Sequence, residues 1–306
     1  MGYCFESDAS VQKDLRRIAA AQIENAVGKI DDHALDSAIV VHEARKACKK
    51  LRGLIKLVRP GLSEYRAENA AFRDIAAILS PLRDAAVLIE TYDKLFAFYD
   101  GQVERAGFAP VRRRLTLRQK TLDRDSSSAD RKLGDVRDLL TAAHSRIERW
   151  KLSDNGFDAL SRGLGKTYKR ARKAMKEAER SNDGATLHEW RMHVKYHGYH
   201  ARLLEPVWPA AMQAHRQSAD QLNDLLGDHH DLAVFDAALR DAADEFGNAA
   251  DLAALTGLIR KRQDLLAAQT FALGAKLFAE PADQLTQRWR RYWTQWRASA
   301  ATASAA

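Results

Sequence analysis

The sequence has few residues that would cross-link the chain and no segment that would carry it into a membrane. Among its 306 residues are two cysteines, Cys4 and Cys48, which cannot supply the disulfide framework of a small secreted domain. No apolar run approaches the roughly 20 residues that a membrane-spanning helix needs. The opening residues MGYCFESDAS lack the charged and apolar regions of a signal peptide. We therefore predict a cytoplasmic location and no membrane association.

The sequence also lacks the motifs of the common catalytic sites. It contains no glycine-rich phosphate loop with its lysine and no serine at a nucleophile elbow. It has no cluster of acidic residues suited to hold a catalytic magnesium ion. These absences predict a binding protein rather than an enzyme, without a cofactor or a metal ion.

What the sequence has in abundance is helical patterning and positive charge. Apolar residues recur at steps of three and four, and only six prolines interrupt them, which predicts an all-α fold. A hydrophobic content of 46% is enough for a large core. Lys and Arg number 49 against 41 Asp and Glu, and the resulting net charge of +8 favours polyanionic partners.

The segment Val40–Pro60, VVHEARKACKKLRGLIKLVRP, has two contrasting faces on one predicted helix. One face is apolar, and the other carries a basic stripe at helical spacing: His42, Arg45, Lys49, Arg52, Lys56 and Arg59. The seven Lys and Arg residues of the segment are balanced by a single acid, Glu43. Because like charges four residues apart destabilise a helix, the stripe predicts an anionic ligand.

A second predicted helix has a similar concentration of charge. Along residues 162–180 the basic side chains again recur at steps of three and four: Arg162, Lys166, Lys169, Lys173, Lys176 and Arg180. Only Glu177 and Glu179 dilute them, so we interpret this stripe as part of the same anionic site. A simple solvent-exposed face is the alternative interpretation.

The chain carries the Val40–Pro60 pattern twice. Thr186–Pro206, TLHEWRMHVKYHGYHARLLEP, aligns with it without a gap at an offset of 146 residues. The alignment pairs His188 with His42, Arg191 with Arg45, Lys195 with Lys49, and Arg202 with Lys56. Downstream, LSPLRDAAV at 79–87 matches LGDHHDLAV at 226–234, at an offset of 147. Two motifs at nearly the same offset predict an internal duplication of a helical unit.

These residues resemble the CHAD domain family, whose name refers to conserved histidines and α-helices. The resemblance rests on the motifs V-H-x-x-R-x-x-x-K-K-L-R and L-H-x-x-R-x-x-x-K, each followed by L-[GS]-x-x-[RH]-D-x-x-V, and it extends over roughly residues 8–298. It implies two helical bundles related by pseudo-two-fold symmetry. It also implies a basic central surface that binds inorganic polyphosphate.

The sequence departs from this family pattern in two respects. The second copy has Tyr196, His197 and Gly198 where the first has Lys50, Leu51 and Arg52, so its share of the basic face is smaller. Some relatives carry a triphosphate-tunnel domain in front, and its E-x-E-x-K strand signature is absent here. The absence of this signature removes the most obvious route to catalysis.

The repeat and the irregular stretches suggest how the chain is divided. We predict a first helical half over residues 1–106, a second helical half over 107–298 and a disordered tail over 299–306. Residues 125–130, which are rich in Asp and Ser, predict a loop between helices. In the second half, Gly227 predicts the end of a helix over 210–226, before another helix over 231–246.

The resemblance and the basic stripes together give a predicted polyphosphate-binding set. The set consists of His42, Arg45, Lys46, Lys49, Arg52, Lys56, Lys166, Lys169, Arg170, Lys173, His188, Arg191, Lys195 and Arg202. For the two histidines, a phosphate contact and a structural role have equal weight, since imidazole can donate to a phosphate oxygen. Asp84 and Asp231 match in the turn motifs. We predict that they are structural, either in the first turn of a helix or as partners of a basic residue, rather than orienting ligand-binding side chains.

A further histidine set occurs only in the second copy. His193, His197 and His200 recur at helical spacing, which is suited to a zinc ion. No cysteine accompanies them and the first copy lacks them. We therefore interpret them as partly buried polar residues between helices.

Two other functions stay open on the sequence alone. One is a histidine-dependent phosphate-transfer or polyphosphate-processing enzyme with His42 or His188 as phosphoacceptor. The other is an RNA-binding protein, since a basic surface does not by itself distinguish RNA from polyphosphate. Val40–Pro60 has no aromatic residue to stack on bases, which favours a bare phosphate chain and targeting to polyphosphate granules. Polymer length preference and oligomeric state are left open.

If both copies of the repeat line one surface, Arg45 and Arg191 contribute to the same site. Replacing either with Glu should weaken polyphosphate binding, and Arg45→Glu with Arg191→Glu should weaken it further, because the charges act on one ligand. Calorimetric titration of the three variants measures this. Two independent sites of unequal affinity in the unaltered protein would rule out a shared surface.

Overall fold

The computed structural model describes residues 2–123, 126–181, 183–242, 246 and 248–305, and every regular element in them is helical. The helices are α1 (Val11–Ile30), α2 (Ser37–Leu57), α3 (Tyr65–Ile78), α4 (Ser80–Phe98), α5 (Ala109–Asp123), α6 (Ser126–Ile147), α7 (Asp158–Ser181), α8 (Gly184–Leu203), α9 (Pro209–Asp241), α10 (Ala249–Leu277) and α11 (Ala282–Ala305). Short 3-10 turns cover Arg105–Phe108 and Glu205–Val207. None of these helices is long and apolar enough to cross a membrane. The predicted all-α class is confirmed.

The two repeated helices begin in the same way, at an aspartate. The carboxylate of Asp36 accepts a hydrogen bond from the N–H of Ala38 at 2.8 Å and caps α2. The carboxylate of Asp183 accepts from the N–H groups of Ala185 and Thr186 at 2.8 and 2.9 Å and caps α8. Such oxygens satisfy N–H groups that the first turn of a helix leaves free. Both helices therefore start two or three residues earlier than the repeat alone indicates.

Two hydrophobic cores hold the helices together. The larger one lies among α1, α2, α3, α6, α7, α8, α11 and the start of α9, and it includes the fully buried Trp150, Trp190 and Trp289. The smaller one lies among α4, α5, the later part of α9 and α10, around Tyr92 and Phe235. The two copies of the repeat, α2 and α8, therefore share the larger core.

Helices on the two sides of the predicted boundary at residues 106/107 pack against each other. α5 packs on α4, and α6 packs on α1 and α3, so both extend the first group of helices. In the second group, α11 packs on α7 as α6 packs on α1. α4 also packs on α9, so the contacts cross the predicted boundary in both directions, and the division into two halves stays a prediction.

One continuous helix replaces the break that the sequence predicts in the second half. α9 passes through Gly227, where the sequence predicts a helix end. This glycine is buried, and a Cβ on it would lie 3.2 Å from Nη2 of Arg191. The prediction was wrong because Gly227 makes room for a side chain of another helix rather than ending its own.

Two further segments are more helical than predicted. α6 begins at Ser126, so residues 126–130 are helical, while Asp125 lies outside the described residues. α11 continues to Ala305, so residues 299–305 of the predicted disordered tail are helical. Ala306 lies outside the described residues. The tail ATASAA is rich in alanine, which has the highest helix propensity of all residues.

Two glycines let α2 approach its neighbours closely. A Cβ added to Gly163 of α7 would lie 1.8 Å from the carbonyl oxygen of Leu57. A Cβ added to Gly53 of α2 would lie 2.8 Å from the ring of Tyr199 on α8. α2 is therefore held against both α7 and α8, and basic residues of the three helices come together.

Gly163→Ala should destabilise the protein strongly, because the new methyl group meets a backbone oxygen that cannot move without shifting the end of α2. We expect the free energy of unfolding to fall by about 3 kcal/mol, measured by chemical denaturation. Gly134→Ala in α6 is the matched control, since nothing lies within 4 Å of its new Cβ. It should stabilise the protein by about 0.5–1 kcal/mol. Equal effects of the two substitutions would refute the close approach.

Candidate anion-binding site

Residues that the repeat aligns meet each other across α2 and α8. Lys49 of α2 and Lys195 of α8 lie close enough for each to lower or raise the pKa of the other. One turn further along, Tyr199 packs against Gly53, the residue with which it aligns. Nε2 of His200 lies 3.1 Å from the Gly53 carbonyl oxygen. Two of these contacts therefore join residues that the sequence alignment of the two copies pairs, Lys49 with Lys195 and Gly53 with Tyr199; the pseudo-two-fold symmetry stays a prediction.

Burial and neighbouring cations lower the pKa values of both lysines. Burial, followed by Arg45 and Arg191, lowers the pKa of Lys49 to about 8. Burial, followed by Lys49 and Arg191, lowers the pKa of Lys195 to about 7. The pair therefore titrates as a unit and carries less than its full charge of two near neutral pH.

Arginines surround the lysine pair. Together they form what we call the central cluster: Arg45, Lys49, Arg83, Arg191 and Lys195. Nη1 of Arg45 donates to the Ser80 hydroxyl at 2.5 Å. Nη1 of Arg191 lies 3.8 Å from a carboxylate oxygen of Asp231. These contacts hold the guanidinium groups beside the two amines.

Each copy of the repeat places a histidine beside the central cluster, with different neighbours. The rings of His188 and His230 lie 4.3 Å apart, and burial lowers the pKa of both, that of His230 to about 4. In the first copy, Arg83 stands at the position that aligns with His230. Burial, followed by Arg83, lowers the pKa of His42. The imidazoles of His42 and His188 are therefore neutral near pH 7, and each has one N–H to donate.

A second group of cations lies about two turns further along α2. We call it the distal cluster: Arg52, Lys56, Arg59, Lys166 and Arg170. Burial, followed by Arg52, Arg59 and Arg170, lowers the pKa of Lys56 to about 8. Nε and Nη2 of Arg59 are buried without a hydrogen-bond partner among the described residues. Unsatisfied buried N–H groups cost free energy, so an anion that accepts from Arg59 is favoured.

Two tyrosines line the distal cluster. Nζ of Lys56 lies 4.6 Å from the ring centre of Tyr196 and 3.4 Å from the hydroxyl oxygen of Tyr65. Cζ of Arg52 lies 5.8 Å from the ring centre of Tyr196. α3 and α8 therefore supply the aromatic residues that the segment Val40–Pro60 lacks. The sequence-based argument against RNA loses its force at this end of the site.

Two residues of the predicted set lie apart from both clusters. Lys46 donates to a Glu43 carboxylate oxygen at 3.0 Å, and the same carboxylate accepts from Lys29 of α1 at 2.7 Å. The hydrogen bond from Lys29, followed by that from Lys46, lowers the pKa of Glu43 to about 2. Arg202 lies close to Lys50, and after burial it is the main cause of the lowered pKa of Lys50.

The stripe on α7 is divided in the structure. Lys166 and Arg170 lie close to Arg59 and belong to the distal cluster. Lys169 and Lys173 are exposed on α7. Each lies within one helical turn of Lys166 or Arg170 along the chain. Their part in phosphate binding stays a prediction.

Three residues that lie in or beside the clusters are outside the predicted set: Arg83, Arg59 and His230. Arg83 and His230 occupy the [RH] position of the two turn motifs, so the motif itself was the signal for both. Arg59 belongs to the basic stripe, but its position next to Pro60 at the helix end hid its role. Its buried guanidinium group can be recognised only once α7 is placed beside it.

The two acidic residues of the turn motifs are Asp84 and Asp231, and the structure describes the side chain of Asp231. Asp231 lies beside Arg191, in agreement with the interpretation as the partner of a basic residue. Burial raises the pKa of Asp231 although Arg191 opposes this effect. Asp84 lies within α4, but its side chain is outside the described part of the structure.

The three histidines of the second copy do not converge on one point. Nε2 of His197 lies 2.7 Å from Nε2 of His215, whereas His200 contacts Gly53 and His193 lies 3.8 Å from Glu189. His197 and His200 lie between helices as predicted, but they are fully rather than partly buried. Among the residues described, no three or more His, Cys, Asp or Glu side chains are grouped so that they could hold a metal ion.

Fold and site define an all-α domain in which basic side chains gather where α2, α7 and α8 pack together. A family model of the CHAD domain matches residues 17–240, so the chain belongs to the CHAD domain family. The crystal structure of the CHAD domain from the plant Ricinus communis aligns with a TM-score of 0.67 at 18% identity, over 91% of this chain and 95% of that one. PptA from Streptomyces chartreusis aligns with a TM-score of 0.62 at 15% identity, over 88% of this chain and 100% of that one. A search of curated proteins found no match.

Lys49→Gln should leave the melting temperature of the ligand-free protein unchanged or raise it slightly, because it removes one charge from a cluster of like charges. The rise in melting temperature that polyphosphate causes should become smaller, since a binding cation is lost. Thermal unfolding at low salt, with and without polyphosphate, measures both effects. Lys261→Gln, which removes an exposed charge from α10, is the matched control and should change neither. Strong destabilisation by Lys49→Gln alone would make Lys49 a structural residue.

Proposed function

We propose that the chain binds inorganic polyphosphate along the face of α2 that carries the central and distal clusters. The Lys49–Lys195 pair is the observation that carries the proposal, because two partly buried basic groups lie close together there, beside Arg45 and Arg191. Desolvation and like-charge repulsion both oppose this arrangement, and a polyanion relieves the repulsion. Membership in the CHAD domain family supports a polyphosphate-related role.

The separation of the two clusters supports a polymeric ligand. Lys49 and Lys56 are seven residues apart on α2, which corresponds to about 10.5 Å along the helix axis. A single phosphate group reaches one cluster, whereas successive charges of a phosphate chain reach both. Two linked contacts raise affinity beyond that of either alone. We therefore expect affinity to increase from orthophosphate to chains that span both clusters.

We propose binding without turnover. Lys and Arg side chains hold phosphate by charge-assisted hydrogen bonds, whereas hydrolysis also needs a positioned nucleophile or a metal ion. Histidine-dependent phosphate transfer is the alternative, and it requires a phosphohistidine at His42 or His188. Mass spectrometry after incubation with polyphosphate tests for this product, and we expect both histidines to remain unmodified.

We also propose that this binding places the protein on polyphosphate granules in the cytoplasm. The two separated clusters suit a long polymer that many copies of the protein can share. A fluorescent fusion should therefore colocalise with granules, and the variant with both Arg45→Glu and Arg191→Glu should become diffuse.

Polyphosphate affinity should fall steeply with salt, because each contacted phosphate releases bound counterions. Each contact should add about −0.7 to the slope of log K against log salt concentration, the value for single-stranded nucleic acid. Lys56→Gln should reduce the slope by about this amount, and Lys261→Gln should leave it unchanged. Fluorescence anisotropy titrations at several salt concentrations measure the slopes. Affinity independent of salt, or equal displacement by single-stranded RNA, would contradict the proposal.

A further inference from the structure

A cleft between α4 and α5 is lined by residues that belong to neither the central nor the distal cluster. It has a volume of about 450 Å³, and the described residues that line it are Tyr92, Arg105, Ala106, Ala109, Arg112, Arg113 and Thr116. Those from α5 recur at steps of three and four, so one face of this helix forms a wall of the cleft. Arg83 of the central cluster precedes Tyr92 by nine residues on α4, which is about 13.5 Å along the helix axis. The cleft is therefore separate from the central cluster.

The cleft is positively charged. Three of its lining residues are arginines, and no acid is among the described residues that line it. Asp93 of α4 pairs with two of them: its carboxylate accepts from Arg105 at 2.5 Å and from Arg112 at 3.1 and 3.0 Å. Three positive charges against this one negative charge leave a surplus of two. An anion is the ligand that the surplus favours.

Two of the arginines are held in place without a ligand. Besides its bonds to Asp93, Arg112 donates from Nη1 to the Thr116 hydroxyl oxygen at 2.6 Å. Cζ of Arg105 lies 5.4 Å from the ring centre of Tyr92. A guanidinium group has five N–H donors, and the bond to Asp93 uses one of those on Arg105. Side chains that are already ordered lose less entropy when a ligand binds, so Arg105 is suited to contact an anion.

The size and chemistry of the cleft indicate a ligand larger than a phosphate ion. Its volume falls in the range of about 300–1,000 Å³ that is typical of small-molecule sites. Tyr92, Ala106 and Ala109 supply the apolar part of its lining. The fork of an arginine pairs with a carboxylate or phosphate group through two parallel hydrogen bonds. A molecule with one acidic group and a compact apolar body matches both parts of the lining.

We propose that this cleft is a second binding site, which takes a small organic anion. The acidic group of the ligand, a carboxylate or a phosphate ester, pairs with Arg105 and the exposed Arg113. Its apolar body lies against Ala106 and Ala109. The site is independent of the proposed polyphosphate binding, since neither cluster contributes to it. Inorganic polyphosphate has charge without an apolar body and matches only half of the lining.

Phenyl phosphate and benzoate are suitable probes, because each joins an acidic group to a compact apolar ring. Calorimetric titration of the full chain should show that the better probe binds at least about ten-fold more tightly than orthophosphate or phenol, each of which lacks one half of the ligand. The comparison of the two probes tells a phosphate-ester site from a carboxylate site.

Two substitutions place the probe in the cleft. Ala109→Phe should fill the cleft and weaken binding of the better probe at least about ten-fold, while polyphosphate affinity stays unchanged. Arg113→Gln should weaken probe binding about three-fold or more, because a charge-assisted hydrogen bond is lost. Arg118→Gln is the matched control and should leave probe affinity unchanged. Arg118 is exposed about two and a half turns after Ala109, on the other side of α5.

Probe binding no tighter than that of orthophosphate and phenol would overturn the second site. Equal effects of Arg113→Gln and Arg118→Gln would do the same. The variant with both Arg45→Glu and Arg191→Glu should lose polyphosphate affinity and keep the probe. If this variant loses the probe as well, the probe occupies the polyphosphate site and the second site is refuted.

Discussion

The close approach of α2 to α7 and α8 is the constraint on which the candidate site depends. Gly163 brings α7 onto the carbonyl oxygen of Leu57, and Gly53 brings α2 onto the ring of Tyr199. Larger residues at these positions would separate the helices and return their basic side chains to water. The hydrophobic core that α2, α7 and α8 share supplies the free energy that holds the charges together.

Because these charges are held together, the free energy of unfolding depends on how many protons the folded and unfolded chains bind. Unfolded lysines have pKa values near 10.4, whereas those of Lys49 and Lys195 are about 8 and 7 in the folded chain. The unfolded state therefore binds more protons between about pH 7 and 10, so these two groups make the ligand-free protein more stable as pH rises through that range. A bound polyanion favours the protonated lysines and opposes this trend.

The all-α class, the basic stripes and the repeat can be predicted from the sequence because periodicity and offset are properties of short segments. The remaining features depend on partners that are distant in the chain. Gly227 resembles a helix end until Arg191 is seen to occupy the space that its missing side chain leaves. The tyrosines of the distal cluster come from α3 and α8, so no inspection of α2 alone reveals them. The repeat shows that Lys49 and Lys195 correspond, but only the packing of α2 on α8 shows that they lie close together.

Proton uptake on polyphosphate binding tests the central claim most directly. At pH 8 the ligand-free lysine pair has lost much of its charge, and a bound polyanion should restore it. Calorimetric titration in buffers with different ionisation enthalpies gives the number of protons taken up. We predict uptake on the order of one proton at pH 8, a smaller value at pH 6 and a reduced value at pH 8 for Lys195→Gln. Tight binding at pH 8 without any proton uptake would contradict the account.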